Sequence, residues 1–130
     1  KEISAFSSFT VDYENYYLPN TSYFLICKDL QFTAGILNSK LSDFQFNEIS
    51  PQIAGGSKRY TKQYVEKLRI PLASNEQKCV IEKIVNQILT SKKTAPQADT
   101  TALEAEIDQL VYELYGLTDE EIAIVEESVG

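Results

Sequence analysis

The order of apolar and polar residues changes along the chain, and each change predicts a different secondary structure. In residues 3–13 apolar side chains alternate with polar ones, which predicts a strand with one buried face. The short apolar run 23–27 predicts a second, buried strand. In residues 32–49 the apolar spacing becomes helical, and Ser50, which precedes a proline, is disfavoured in helical backbone. We therefore expect strands first and then a helix that ends near residue 49.

Three pairs of residues after position 73 have the spacing of a capping box, in which Ser or Thr precedes Glu or Gln by three residues. The pairs are Ser74–Gln77, Thr101–Glu104 and Thr118–Glu121. Apolar residues follow each pair at helical spacing, and Gly116 suits the left-handed residue that ends a helix. The sequence therefore predicts helices that begin near residues 74, 101 and 119.

These elements predict an α+β fold in two parts. Residues 1–73 are expected to form a small α+β body with a mixed sheet. Within this part, residues 61–67 predict a helical turn, and residues 68–72 predict a short strand that Pro71 closes. Residues 74–130 are expected to form a separate helical tail.

The tail is predicted to fold as an antiparallel helical hairpin followed by a short C-terminal helix. A linker over about 93–99 joins two amphipathic helices, and pairing them buries both apolar stripes. The expected interface consists of Ile81, Ile84, Val85, Ile88, Leu103, Ile107, Leu110 and Leu114. The alternative is that each helix packs separately on the preceding domain.

The twelve residues 58–69, which are named the basic stretch, contain five cations and a single acid, Glu66. Cations that meet phosphates, combined with flat tyrosine rings, are typical of nucleic-acid contacts. The residues expected to contact DNA are Ser57, Lys58, Arg59, Tyr60, Lys62 and Tyr64. The alternative is a solvated surface turn whose tyrosines pack inward. Lys67 and Arg69 fit better as charges that flank the predicted strand.

The formal net charge of −7 is unevenly distributed along the chain. Residues 1–94 contain all 12 Lys and Arg together with nine acids, whereas residues 95–130 contain ten acids and no cation. Phosphate repels a strongly acidic segment, so the tail is expected to face protein or to form a solvated helix surface. The charge pattern therefore assigns any DNA contact to the first part of the chain.

Residue content excludes several kinds of catalytic or metal site. The chain has no histidine, so a Ser-His-Asp or Cys-His arrangement is impossible, and two cysteines cannot supply a zinc site. No phosphate-binding glycine loop is present. The cysteine usage favours a reduced, cytoplasmic protein, and no apolar run is long enough for a membrane span. The start at Lys1 without methionine predicts an excised fragment of a longer protein.

Three segments of the sequence together resemble a known family of proteins that act on DNA. They are GILNSKL (35–41), LRIPL (68–72) ahead of Glu76-Gln77, and TALEAEIDQLVYELYGLT (101–118). In combination they look like the carboxyl-terminal target-recognition region of bacterial restriction–modification proteins. This resemblance implies that residues 1–73 are the carboxyl-terminal part of a truncated, small mixed-sheet DNA target-recognition domain. These are the type IIG enzymes with a TaqI-like specificity domain and the specificity subunits of type I systems. Segment 101–118 is the most specific of the three.

The resemblance implies a module that reads double-stranded DNA for an N6-adenine methyltransferase and an endonuclease, which are domains of the same protein or separate subunits. It implies S-adenosylmethionine and magnesium as cofactors of that parent system only. This chain lacks the Asn-Pro-Pro-Tyr motif of the methyltransferase and is expected to be non-catalytic, with its hairpin serving as a spacer. The alternative function is a protein–protein assembly module that uses its C-terminal helices and does not bind DNA.

Overall fold

The computed structural model describes residues 3–4, 9–14, 25, 27–50 and 58–129. Within these residues the chain forms six helices and one pair of two-residue strands. In chain order they are β1 (Ile3–Ser4), α1 (Leu30–Leu37), α2 (Lys40–Ile49), β2 (Lys58–Arg59), α3 (Lys62–Val65), α4 (Asn75–Thr94), α5 (Thr101–Tyr115) and α6 (Asp119–Val129). Helices therefore dominate the described fold.

The predicted α+β class with a mixed sheet is wrong, because the fold is helical. In the described residues the only sheet is the antiparallel pairing of β1 with β2. Residues 9–14 continue the predicted first strand but pair with no other strand, and the Tyr13 side chain is exposed. An alternating pattern forms a sheet only where other strands and a core cover one face, and here the chain packs helices instead. Of the predicted strand 23–27, residues 25 and 27 are not in a strand, and the others lie outside the described residues.

The single helix predicted over residues 32–49 is divided into α1 and α2 by Asn38 and Ser39. The Asn38 side chain binds the backbone of Phe9 twice, accepting from its N–H at 2.7 Å and donating to its carbonyl at 2.8 Å. The Ser39 hydroxyl accepts a hydrogen bond from the N–H of Ser42 and caps α2. The Asn38 side chain also donates to the Ala34 carbonyl at 2.9 Å, and polar side chains that bind local backbone in this way compete with a continuous helix.

Two of the three predicted capping boxes are present. Ser74 and Gln77 exchange hydrogen bonds of 2.8 and 3.2 Å at the start of α4. Thr118 and Glu121 do the same at the start of α6, at 2.9 and 3.3 Å. Each box satisfies two backbone N–H groups that would otherwise lack a partner, so these local signals fix where α4 and α6 begin.

Helix α5 ends as predicted but begins differently. The capping box predicted at Thr101 and Glu104 is wrong, because Thr101 donates its N–H and its hydroxyl to Asp99, at 3.0 and 2.6 Å. These hydrogen bonds lower the pKa of Asp99. Thr100 precedes the helix, and its hydroxyl donates to Glu104 at 2.6 Å. Gly116 has a φ of 65° and supplies the expected left-handed residue after the last turn.

The hydrophobic core lies where α1 packs against α4, and it extends to α2, α5 and α6. Gly35 allows the close approach of α1, because a Cβ there would lie 2.9 Å from Cγ2 of Ile81 and 3.1 Å from Cγ2 of Val85. Residues from both sides of position 73 belong to this one cluster. The predicted boundary between residues 73 and 74 is therefore not a boundary between two hydrophobic cores.

Polar side chains join α2 to α5 and α6 beside this core. The backbone N–H of Lys40 donates to Asp108 at 2.8 Å, and the Lys40 ammonium pairs with Glu126. The Tyr112 hydroxyl donates to the same Glu126 carboxylate at 2.8 Å. Asp108 thus satisfies the N–H of the first residue of α2, although the two residues lie far apart in sequence.

Candidate nucleic-acid interface

The basic stretch rests on a cluster of aromatic rings that fixes its position. Tyr60 is 7% exposed and stacks on Phe46, with ring centroids 4.2 Å apart. Phe9 meets Tyr60 edge-on at 6.1 Å, and Tyr64 meets Phe46 edge-on at 6.4 Å. The Tyr60 hydroxyl donates to Asp43 on α2 at 3.3 Å. These four rings are named the aromatic platform.

The aromatic platform determines which side chains of α3 face solvent. Tyr64 packs its ring against α2, so Lys62 and Gln63 are left exposed. Lys67 is also exposed, and its ammonium lies 5.9 Å from the centre of the Tyr64 ring, within cation–π distance. In the part of the chain that the structure describes, neither lysine takes part in an ion pair. One helical turn and its flank therefore present two cations, one carboxamide and the carboxylate of Glu66 to solvent.

The segment after α3 is not the strand that its sequence predicts. It pairs with no other strand, and both Ile70 and Leu72 are exposed. Pro71 removes one donor, and the Tyr115 hydroxyl on α5 donates to the Arg69 carbonyl. Because no strand forms, Lys67 and Arg69 do not flank one, and both side chains add exposed positive charge beside α3.

Three of the predicted DNA-contact residues have described side chains, and their environments differ. Lys62 is exposed, whereas Tyr64 is half-buried in the aromatic platform. Tyr60 is buried, so its predicted contact with DNA needs correction: stacking on Phe46 removes the ring from solvent. Tyr60 positions the neighbouring residues instead, as in the alternative that the tyrosines pack inward.

The other three predicted contact residues directly precede Tyr60 in the chain. The backbone of Lys58 and Arg59 forms β2, in which Arg59 is paired with Ile3 and Lys58 with Ser4. This pairing ends one residue before Tyr60, so it holds the amino end of the basic stretch by main-chain hydrogen bonds. Ser57 lies outside the described residues.

The eight residues of the predicted hairpin interface either belong to the hydrophobic core or pack against it. Ile81, Ile84, Val85 and Ile107 are buried, and Ile88, Leu103, Leu110 and Leu114 are half-buried. Helices α4 and α5 contact each other, but α4 also packs along α1, and α5 contacts α1 and α2. The two apolar stripes therefore face the rest of the chain as well as each other, and the helices do not form a free-standing hairpin.

The ten acids of residues 95–130 give the second part of the chain a mainly solvated negative surface. Only Asp108 among them is buried. Burial raises the pKa of Asp108 to about 6, although the hydrogen bond from the Lys40 N–H and the charge of the Lys40 ammonium lower it. A hydrogen bond from Lys40 lowers the pKa of Glu126. Burial raises the pKa of Tyr112, and its hydrogen bond to Glu126 acts in the same direction. Negative charge is thus concentrated on α5 and α6, and α3 and its flank carry positive charge.

Sequence reasoning missed Gln63, which is exposed directly after Lys62. The signal that could have found it is the spacing of Tyr60, Tyr64 and Leu68 at intervals of four residues. Such spacing marks the inward face of a helical turn, so the residue before Tyr64 faces outward. Tyr60 and Leu68 are accordingly buried and half-buried.

Metal and membrane sites are not apparent in the described parts of the chain. No acidic or cysteine side chains in residues 3–4, 9–14, 25, 27–50 and 58–129 are grouped so that they could hold a metal ion. None of the helices in these ranges combines the length and apolar character needed to span a bilayer. No protein-family model, curated protein or solved structure matches the chain.

Of the three segments that carry the resemblance to target-recognition regions, segment 101–118 contacts each of the other two. Asp108, in segment 101–118, accepts from the N–H of Lys40, in segment 35–41. Tyr115, in the same segment, donates to the carbonyl of Arg69, in segment 68–72. Segment 101–118 therefore packs against both other segments, whereas Arg69, Ile70 and Leu72 of segment 68–72 are exposed.

Proposed function

We propose that this chain takes part in sequence-specific recognition of double-stranded DNA within a bacterial restriction–modification system and catalyses no reaction itself. The observation that carries the proposal is the exposed positive surface at Lys62, Lys67 and Arg69, next to an aromatic platform in which the rings of Phe46 and Tyr60 are buried. A rigid base keeps cations at fixed positions and so lowers the entropic cost of binding. Along the sequence, the cations of this surface precede the acidic residues 95–130, which also supports a DNA contact.

Two kinds of contact are proposed within this surface. Lys62 and Lys67 neutralise phosphates and set the position of the protein on the duplex, without reading sequence. Lys58 and Arg59, with Ser57, extend this contact toward the amino end of the basic stretch. Gln63 is the candidate for base readout, because a carboxamide can bind the N6 and N7 atoms of adenine in the major groove.

The catalytic steps of such a system belong to other domains or subunits. S-adenosylmethionine and magnesium would be bound there, as the resemblance implies. The acidic helices α5 and α6 would face those proteins, since phosphate repels them. A module of this kind acts on bacterial DNA, so we propose a cytoplasmic location.

Titration of labelled duplexes with the chain tests the proposal. Binding-site selection from a pool of random duplexes first supplies a preferred sequence, and fluorescence anisotropy then gives affinities for that duplex and for a scrambled one. The variant with Lys58, Arg59 and Lys62 all changed to Ala is expected to lose affinity for both. A matched control removes the same charge from exposed lysines elsewhere: Lys28, Lys83 and Lys93 changed to Ala.

The control variant is expected to bind nearly as well as the wild type, because a general loss of positive charge weakens binding less than the loss of direct phosphate contacts. Equal losses in the two variants would show that charge alone drives the binding. Wild-type affinity and selectivity in the first variant would contradict the proposed surface.

The second candidate function is an assembly module without DNA binding, and one observation favours it. Helix α6 presents the exposed apolar side chain of Ile124 among acids, a surface that fits protein better than nucleic acid. Absence of any DNA binding at low salt, together with association through these helices, would select this candidate.

A further inference from the structure

Leu72 is the most exposed large apolar side chain in the described part of the chain, at 99% of its possible exposure. The preceding Ile70 is also exposed. The cations Lys67 and Arg69 lie within five residues on the amino side, and both are exposed. A leucine wholly in water gains nothing from the hydrophobic effect, so this segment presents an apolar projection with positive charge beside it.

An apolar groove lies between the first half of α4 and the second half of α5. Val80, Ile81, Leu110 and Leu114 supply its apolar lining, and the groove has a volume of about 190 Å³. The exposed carboxylates of Glu76 and Glu113 stand at its margin. A cavity of about 150 Å³ holds a benzene molecule, so this groove has room for a leucine side chain.

The projection and the groove belong to the same region of the molecule. The Tyr115 hydroxyl, one residue beyond the groove-lining Leu114, donates to the Arg69 carbonyl. Ser74 caps α4, whose next turns supply Glu76 and Val80 to the groove. The segment that carries Leu72 therefore runs from one wall of the groove to the other.

We propose that this region is the contact surface between two copies of the chain. Each copy inserts its Leu72 into the groove of the other, and Arg69 approaches the partner copy's acidic margin at Glu113. An apolar projection beside cations complements an apolar groove beside acids in both shape and charge. Because both features lie in one region, the same surface serves both copies, as a two-fold symmetric dimer requires.

Sedimentation equilibrium over a wide range of protein concentration, without DNA, tests the proposal. The wild-type chain is expected to change from monomer to dimer as the concentration rises. Leu72→Asp is expected to weaken self-association about tenfold or more, since a central anchor side chain is lost and a charge enters the groove. Leu25→Asp is the matched control, because it makes the same substitution at an exposed leucine outside the groove.

Leu72 is fully exposed, so at concentrations at which the wild type is monomeric Leu72→Asp is expected to unfold at the same temperature as the wild type, which separates loss of association from loss of folding. A charge exchange provides a second measurement. Glu113→Arg alone is expected to weaken the dimer, and the double variant that also carries Arg69→Glu is expected to restore it.

A wild-type chain that stays monomeric throughout, or a Leu72→Asp variant that dimerises like the wild type, would overturn the proposal. Neither result bears on DNA binding, so the two proposals fail separately.

Discussion

Replacing Asp108 with Asn is expected to remove most of the pH dependence of stability between about pH 5 and pH 7. Burial raises the pKa of Asp108 to about 6 in the folded chain, while the Lys40 ammonium opposes the shift and the carboxylates of Glu126 and Asp43 add to it. The unfolded chain has the ordinary Asp pKa of about 3.9. Between these two values the folded chain binds more protons than the unfolded chain does. Stability must therefore fall as the pH rises through the folded pKa.

The size of the effect follows from the two pKa values. A group with pKa about 6 when folded and about 3.9 when unfolded changes the free energy of unfolding by about 1 kcal/mol between about pH 5 and pH 7. Residual access of water to the carboxylate would reduce this figure somewhat. A difference of about 1 kcal/mol moves the urea midpoint by about 0.3–1 M for a domain of this size, which is measurable.

The chosen pH interval separates Asp108 from the other shifted groups. The chain has no histidine, and the pKa values of Asp99 and Glu126 are lowered, so both groups titrate below the interval. The Lys40 pKa is raised, chiefly by its hydrogen bond to Glu126, and that lysine titrates far above the interval. A slope of stability with pH in this range therefore reports Asp108.

Urea denaturation followed by circular dichroism at several pH values gives the slope directly. The wild type is expected to lose stability from about pH 5 to pH 7, whereas Asp108→Asn keeps the acceptor for the Lys40 N–H and stays nearly constant. Asp108→Ala is the control, since it also removes the titration but leaves that N–H without its partner, at a cost of about 1 kcal/mol. A variant Asp108→Asn with the wild-type slope would refute the reasoning.

Other substitutions test the packing, each by urea denaturation against the wild type. Gly35→Ala places a methyl group 2.9 Å from Ile81, so the cost of overpacking, about 1–3 kcal/mol, should exceed the gain in helix propensity of about 1 kcal/mol. A stabilised variant would contradict this packing. Val111→Ala, at a fully buried position, should cost about 2 kcal/mol, and Leu110→Ala, half-buried, about 1–2 kcal/mol. Thr118→Ala should cost about 1 kcal/mol, and no change would mean that its capping box does not stabilise α6.

Local signals predicted the helices of the second half of the chain because their ends are determined by neighbouring residues. Ser74 with Gln77, Thr118 with Glu121, and Gly116 act within a few residues of a helix terminus. Long-range contacts leave no such signal. The hydrogen bonds that join Asp108 to α2 and Tyr115 to the segment after α3 depend on the packed fold.

The same distinction explains the errors in the first half of the chain. Alternation in residues 3–13 is compatible with a strand, but whether a sheet forms depends on partner strands that the pattern itself cannot supply. The exposed part of the basic stretch followed from charge alone, as at Lys62. The inward position of Tyr60 depends on Phe46, which lies on another helix.

The salt dependence of DNA affinity for Lys62→Ala tests the central claim most directly. Lys62 is exposed and forms no ion pair within the described residues, so its replacement should leave the fold intact. If Lys62 contacts a phosphate, the slope of log affinity against log salt becomes less negative by about 0.9, equally for preferred and scrambled duplexes. The control Lys83→Ala, also at an exposed lysine, is expected to keep the wild-type slope. A wild-type slope and affinity for Lys62→Ala would contradict the assignment of this surface to DNA.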